Sequence, residues 1–197
     1  LKHYQADSAA TPLIETGQFP RKIVTDVVPP MILYRGYPKT QDITTDYRLP
    51  AGAPVMSYVE PKPTLQWQVK PEKREILGHS CQRAEVSFGG RQWIAWFTSE
   101  IPLSEGPYKF GGLPGLILEV ADSEGDYRYT CIGIANLSAG ENIVRWKWNQ
   151  RPTTRKELEK IIVQLYANPE QAIKALGGRM GFKGDPMLNL PYNPIEK

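Results

Sequence analysis

Arg83-Ala-Glu-Val-Ser-Phe88, Gly89-Gly90 and Arg91-Gln-Trp-Ile-Ala-Trp-Phe-Thr98 form the stretch on which the fold turns. Two runs rich in β-branched and aromatic residues flank a glycine pair, the pattern of a β-hairpin with a two-residue turn. Trp93 and Trp96 have opposite parity, so a regular strand sends them to different faces. The same pattern spreads in both directions. Residues 116–121 and 127–135 flank Asp122-Ser-Glu-Gly-Asp126 and read as a second hairpin. Residues 143–148 alternate, with Val144, Trp146 and Trp148 on one face and Arg145 and Lys147 on the other. Upstream, residues 23–28, 31–37 and 43–49 are short strand candidates. Residues 65–69 are the best strand of a proline-rich region, with Pro61 and Pro63 favouring a sheet edge.

Between the two hairpins runs Pro107-Tyr-Lys-Phe-Gly-Gly-Leu-Pro-Gly-Leu-Ile-Leu-Glu-Val120. Gly111, Gly112 and Gly115 point to φ angles or close approaches that a β-carbon would forbid. Pro114 fixes its own φ and pushes Leu113 towards an extended shape. The loop lacks the Lys-Ser/Thr ending of a phosphate cradle and leads into a strand rather than a helix. It reads as an ordered, partly buried crossing that sets where residues 116–120 enter a sheet.

Helical signals come only near the end. Thr154-Arg-Lys-Glu157 fits a capping box, and Leu158, Ile161, Ile162 and Leu165 follow at helical spacing. Asn168-Pro169 opens a second helix that Gly177-Gly178 stops. The expected fold is mainly β (α+β): a curved antiparallel sheet, or a half-barrel or bowl-like sandwich, with a C-terminal helical pair. It is expected to form one domain over 1–197, β-rich over 20–150, helical over 153–177 and a coil tail over 179–197.

The 197 residues carry a net charge of +3, with 41% hydrophobic and 23% charged residues. Those are ordinary globular proportions, and the charge is too small to argue for a nucleic-acid or membrane partner. No apolar run approaches the ~20 residues of a spanning helix. Leu1 is not a translation start, so the sequence reads as a mature or trimmed chain. Cys81 and Cys131 can be two buried free thiols or a disulfide. A bridge would close a loop of roughly 50 residues, worth about 4 kcal/mol in the chain-entropy model.

Residue types suited to catalysis are few. His3 and His79 are the only histidines. His79 stands two residues before Cys81, which places both on one strand face, yet two side chains do not make a metal site. Leu1-Lys2-His3 would suit square-planar Cu(II) or Ni(II) if Leu1 were the mature terminus. Glu85 and Glu119 are the carboxylates best placed for acid–base work, though one mixed strand face accounts for Glu119 without it. Trp93, Trp96, Trp146 and Trp148 offer the richest ligand-binding surface, against the plainer alternative of core packing.

Several blocks of this sequence resemble the GLPGLI family, named for the residues that stand here as Gly112-Leu-Pro-Gly-Leu-Ile117. Ile76-Leu-Gly-His-Ser-Cys81 with Ala84, Gly90-Arg91, Ala95-Trp96, Ile101-Pro102 and Gly106-Pro-Tyr-Lys109 agree, as does the closing Tyr192-Asn-Pro-Ile-Glu196. The resemblance implies a protein of certain Gram-negative bacteria, periplasmic, outer-membrane associated or secreted, and made with a signal peptide. It brings no catalytic residue and no cofactor. A fainter similarity, to the bowl-like N-terminal domain of one type of bacterial peptide N-glycosidase, implies a concave sheet. The resulting expectation is a non-enzymatic module that binds an envelope protein, peptide, glycan or apolar ligand on an aromatic face. A glycan- or glycopeptide-acting hydrolase, or an accessory domain of one, is the second reading, and periplasmic metal handling through His79 or His3 the third.

Overall fold

A computed structural model describes residues 31–36, 41–49, 53–136, 145, 147–177 and 194–196. The fold is mainly β, with two sheets and a C-terminal pair of helices. The sequence reads as one continuous domain; the contacts group the chain into two compact units. One comprises 1–61 with 144–192, the other 62–143 with 193–197.

In the first unit, β1 (Met31–Arg35), β2 (Asp42–Tyr47) and β3 (Val55–Pro61) form an antiparallel meander. A short strand, which we number β9 (Gln150–Pro152), adds to β3 in parallel, so the sheet is mixed rather than purely antiparallel. The alternating segment expected at 143–148 is not a strand at its described positions, 145 and 147–148; pairing starts two residues later, at Gln150. The first strand candidate, 23–28, lies outside the described residues. Helix α1 (Arg155–Ala167) begins at the expected capping box, with Thr154 and Glu157 satisfying each other's backbone N–H groups. Its apolar face sets Leu158, Ile161, Ile162 and Leu165 against Leu49, Met56 and Tyr58. Asn168 then accepts from the Gln171 N–H to start α2 (Pro169–Ala175).

The second unit holds the five-stranded sheet β4 (Gln68–Ile76), β5 (His79–Phe88), β6 (Arg91–Thr98), β7 (Leu116–Asp122) and β8 (Arg128–Thr130), paired antiparallel in that order. The expected hairpin is present with Phe88 opposite Arg91 across Gly89-Gly90. Strand β4 starts at Gln68 rather than Leu65, because Leu65 and Trp67 turn inward to pack on the core. It is an edge strand as the prolines suggest, with a bulge between Val69 and Lys73 around Pro71.

The inner face of this sheet carries Ala84, Val86, Trp93, Ala95, Phe97 and Val120. The loop of residues 99–115 covers that face and inserts Phe110 and Leu113, both fully buried. Phe110 meets Trp93 edge-on at 4.7 Å between ring centroids, and the Trp67 indole N–H donates to the Gly111 carbonyl at 2.8 Å. The loop is therefore ordered and partly buried, as its composition suggests. The reasons for its glycines differ. Gly112 has a positive φ of 89°, whereas a Cβ on Gly111 would come 3.0 Å from the Ser104 carbonyl oxygen. A Cβ on Gly115 would lie 2.0 Å from the Thr98 carbonyl oxygen, so close approach rather than φ demands glycine there. Pro114 is exposed at the loop's surface.

Candidate functional site

The outer face of the five-stranded sheet is built from charged residues. Arg83 on β5 stands opposite Trp96 on β6, and Trp96 opposite Glu119 on β7. The Arg74 guanidinium lies over the Trp96 ring at 4.2 Å and pairs with Glu119 at 2.8 Å. Arg83 bonds Glu85 at 2.5 Å and Glu72 at 3.1 Å, and Lys70 reaches Glu85 at 3.5 Å. Both carboxylates singled out for acid–base chemistry are thus engaged by cations. They also lie two strands apart, on β5 and β7.

A groove of about 360 Å³ opens at the β4 edge of the sheet, between residues of its two faces, where pairing of β4 to β5 stops at Gln68 opposite Glu85. Residues 63–66 run along one wall and the last turn of β5 along the other. Gln66, Gln68, Gln92 and Ser87 supply neutral amide and hydroxyl groups, with Leu65 and Phe88 as apolar floor. Gln92 donates to the Ser87 hydroxyl at 2.6 Å, fixing two of these groups. Glu85 is the single ionisable residue of the lining. The groove therefore has hydrogen-bonding capacity but no pair of titratable groups between which to move a proton.

Trp93 and Trp96 do not share a face. Trp93 is fully buried and donates its indole N–H to the Phe88 carbonyl at 2.9 Å. Trp96 lies on the opposite face, as parity predicts, under Arg74. Trp148 belongs to the first unit, where Arg48 lies over it at 5.0 Å. Trp146 lies outside the described residues. Core packing and cation stacking thus take up the described rings that sequence offered as a binding face.

Cys81 and Cys131 are free thiols. Cys81 sits on β5 and Cys131 follows β8, with β6 and β7 between them. Three strand spacings are about 14 Å, twice the reach of a disulfide, so the alternative bridge does not form. Burial pushes the Cys81 thiol up. His79 donates its Nδ1–H to Glu100 at 2.7 Å, and the other oxygen of that carboxylate accepts the Ser80 N–H at 3.1 Å. These bonds, the His79 bond foremost, hold the Glu100 carboxyl below the usual carboxylate range. His3 lies outside the described residues.

The acidic turn Asp122, Glu124 and Asp126 brings three carboxylates together. Its cation is Arg91, with Nη1 at 2.6 Å from Asp122, 2.8 Å from Asp126 and 3.3 Å from Glu124. Burial opposes the charge on Arg91, but the bonds from Asp126 and Asp122 outweigh it and raise its pKa. Sequence reading singled out Glu85 but missed the amides of the groove and this cluster. No local pattern marks Gln66 or Gln92, whereas the turn residues 122–126 were visible without their partner.

A family described as a protein of unknown function (Porph_ging) matches residues 88–119, which span β6, the glycine loop and most of β7. No curated protein sequence is similar to the chain. Two crystal structures of PNGF-II, in the P21 and C2 space groups, are similar at TM-scores of 0.48 and 0.46 and identities of 14% and 13%. Each alignment covers 77% of this chain and 27% of that one, so the chain spans about a quarter of its length. Among the described residues, no helix is long and apolar enough to cross a membrane.

Proposed function

We propose that this chain is a non-catalytic binding module of a secreted or envelope protein, of the GLPGLI type, and that it takes a glycan in the groove beside β5. One observation carries the reading: the groove is lined by three glutamine amides, the Thr64 and Ser87 hydroxyls and four apolar side chains, with a single carboxylate. Amides and hydroxyls at fixed positions match the alternating donors and acceptors of a sugar, and an apolar floor suits its C–H face. A wholly apolar ligand would leave those amides unpaired, at a cost of about 1–3 kcal/mol each. A hydrolase would need a second acid or base within reach, and Glu85 has no such neighbour in the lining.

Calorimetric titration with chitohexaose, maltohexaose and a free high-mannose glycan tests this. Saturable binding of at least one, with its mass unchanged after prolonged incubation, is the expected result. Replacing Gln66 and Gln92 together by Ala should weaken it about tenfold. Absence of binding to all three, or cleavage of the bound glycan, would overturn the proposal.

A further inference from the structure

We infer that the second unit contains a peptide-recognition site, distinct from the groove, which holds the chain's own Pro194-Ile-Glu196 and accepts the same segment from a second copy. Three consecutive residues are each read by a different chemistry. Arg91 donates to the Pro194 carbonyl through Nε at 3.3 Å and Nη2 at 3.0 Å. Ile195 packs against the apolar core. Lys109 pairs with the Glu196 carboxylate at 2.6 Å, and the Tyr108 hydroxyl donates to the same oxygen.

The site is built rather than incidental. The side chains of Arg91 and Lys109 are 1% and 2% exposed, and that of Glu196 is 6%. Asp122 and Asp126 hold Arg91 from the far side, so its remaining donors are aimed before the segment arrives. Gly89 completes the fit: it has a positive φ of 58°, and a Cβ there would come 2.6 Å from Glu196 Cγ. Glu196 supplies the carboxylate that Lys109 holds at 2.6 Å, so the charge of this residue is where the fit is most exacting.

The occupant follows from the path of the chain. Its described residues from 62 to 136 belong to the second unit, 145 and 147–177 to the first, and 194–196 to the second again. A short element that returns to complete a unit after an intervening one can be supplied equally well by a neighbouring copy, which is the geometry of segment exchange. Tethering favours the segment in cis by an effective concentration of about millimolar. The intact chain should therefore exchange only when refolded near that concentration.

Two arms test the inference. A chain ending at Tyr192 is titrated with a labelled peptide of residues 192–197. If that chain does not fold, the full chain with a protease site placed before Tyr192 is folded first, cut, and then exchanged against the peptide. Saturable binding is expected, weakened about tenfold or more by Glu196→Gln in the peptide. In the second arm the intact chain, refolded at about 1 mM and at about 10 µM, is sized by light scattering. Dimer at the higher concentration alone is expected, and its loss in Glu196→Gln. Equal binding of both peptides, or no binding by either form of the protein, would overturn the recognition site. Monomer at both concentrations would overturn occupancy by a second copy.

Discussion

Trp93 and Trp96 stand three residues apart on one strand, and the two faces they enter follow different physics. The inner face around Trp93 is buried: its ring is enclosed by Phe110 and Tyr127, its indole N–H is satisfied by the Phe88 carbonyl, and the ion pair of Arg91 with Asp122 closes its edge. The outer face around Trp96 is held by charge, with Arg74 lying over the ring and bridging to Glu119. The inner face gains most of its stability from area removed from water and from tight packing. The outer face gains little, because partly exposed ion pairs give back most of their attraction in desolvation and side-chain ordering. The inner face accordingly sets the fold, and the ligand groove lies at the sheet edge where the two faces meet.

The comparison can be broken most sharply at Trp93. Trp93→Ala empties the centre of the core and should cost about 3–5 kcal/mol, measured by urea denaturation. Gly115→Ala should cost about 3 kcal/mol, because its Cβ would meet the Thr98 carbonyl at 2.0 Å and the loop must lift from the inner face. A loss below about 1 kcal/mol would show that the loop can shift freely and is not a rigid cover. Trp96→Ala should cost only about 1–2 kcal/mol, since its ring is half-buried and its main partner is Arg74. An equal loss at both tryptophans would erase the distinction between the faces.

The smallest effect is a local one at the far end of the β4–β5 hairpin. The Glu100 carboxyl is held below its ordinary pKa by His79 and the Ser80 N–H. A depressed carboxylate contributes stability above its unfolded pKa and loses it as pH falls through the folded one. Acidification below the usual carboxylate range should therefore release the Ser80 amide, seen as faster hydrogen exchange at Ser80. Glu100→Gln should flatten that response. An unchanged acid response in the variant would assign it to another carboxyl.

What the sequence made legible was local. The turn at Gly89-Gly90, the alternation that parts Trp93 from Trp96, and the capping box at Thr154 each depend on residues within a few positions of one another. What it concealed was long-range. Glu196 meets Lys109 from 87 residues away, and Pro194 meets Arg91 across 103. The need for glycine at 115 is likewise set by Thr98, across a loop, and not by its own φ. The groove was hidden for the same reason: residues 63–66 form its wall only because Leu65 and Trp67 turn inward and delay the start of β4. Aromatic abundance drew attention to the tryptophans, while the polar amides at Gln66, Gln68 and Gln92 carried no pattern to read.

The central claim is that ligand enters the polar groove and not the stacked Trp96 surface. Amide chemical-shift mapping during titration with the bound oligosaccharide tests it directly. Perturbations concentrated at Gln66, Glu85, Ser87 and Gln92, with Arg74, Trp96 and Glu119 unmoved, are the expected result. Shifts centred on Arg74 and Trp96 with a silent groove would contradict the account.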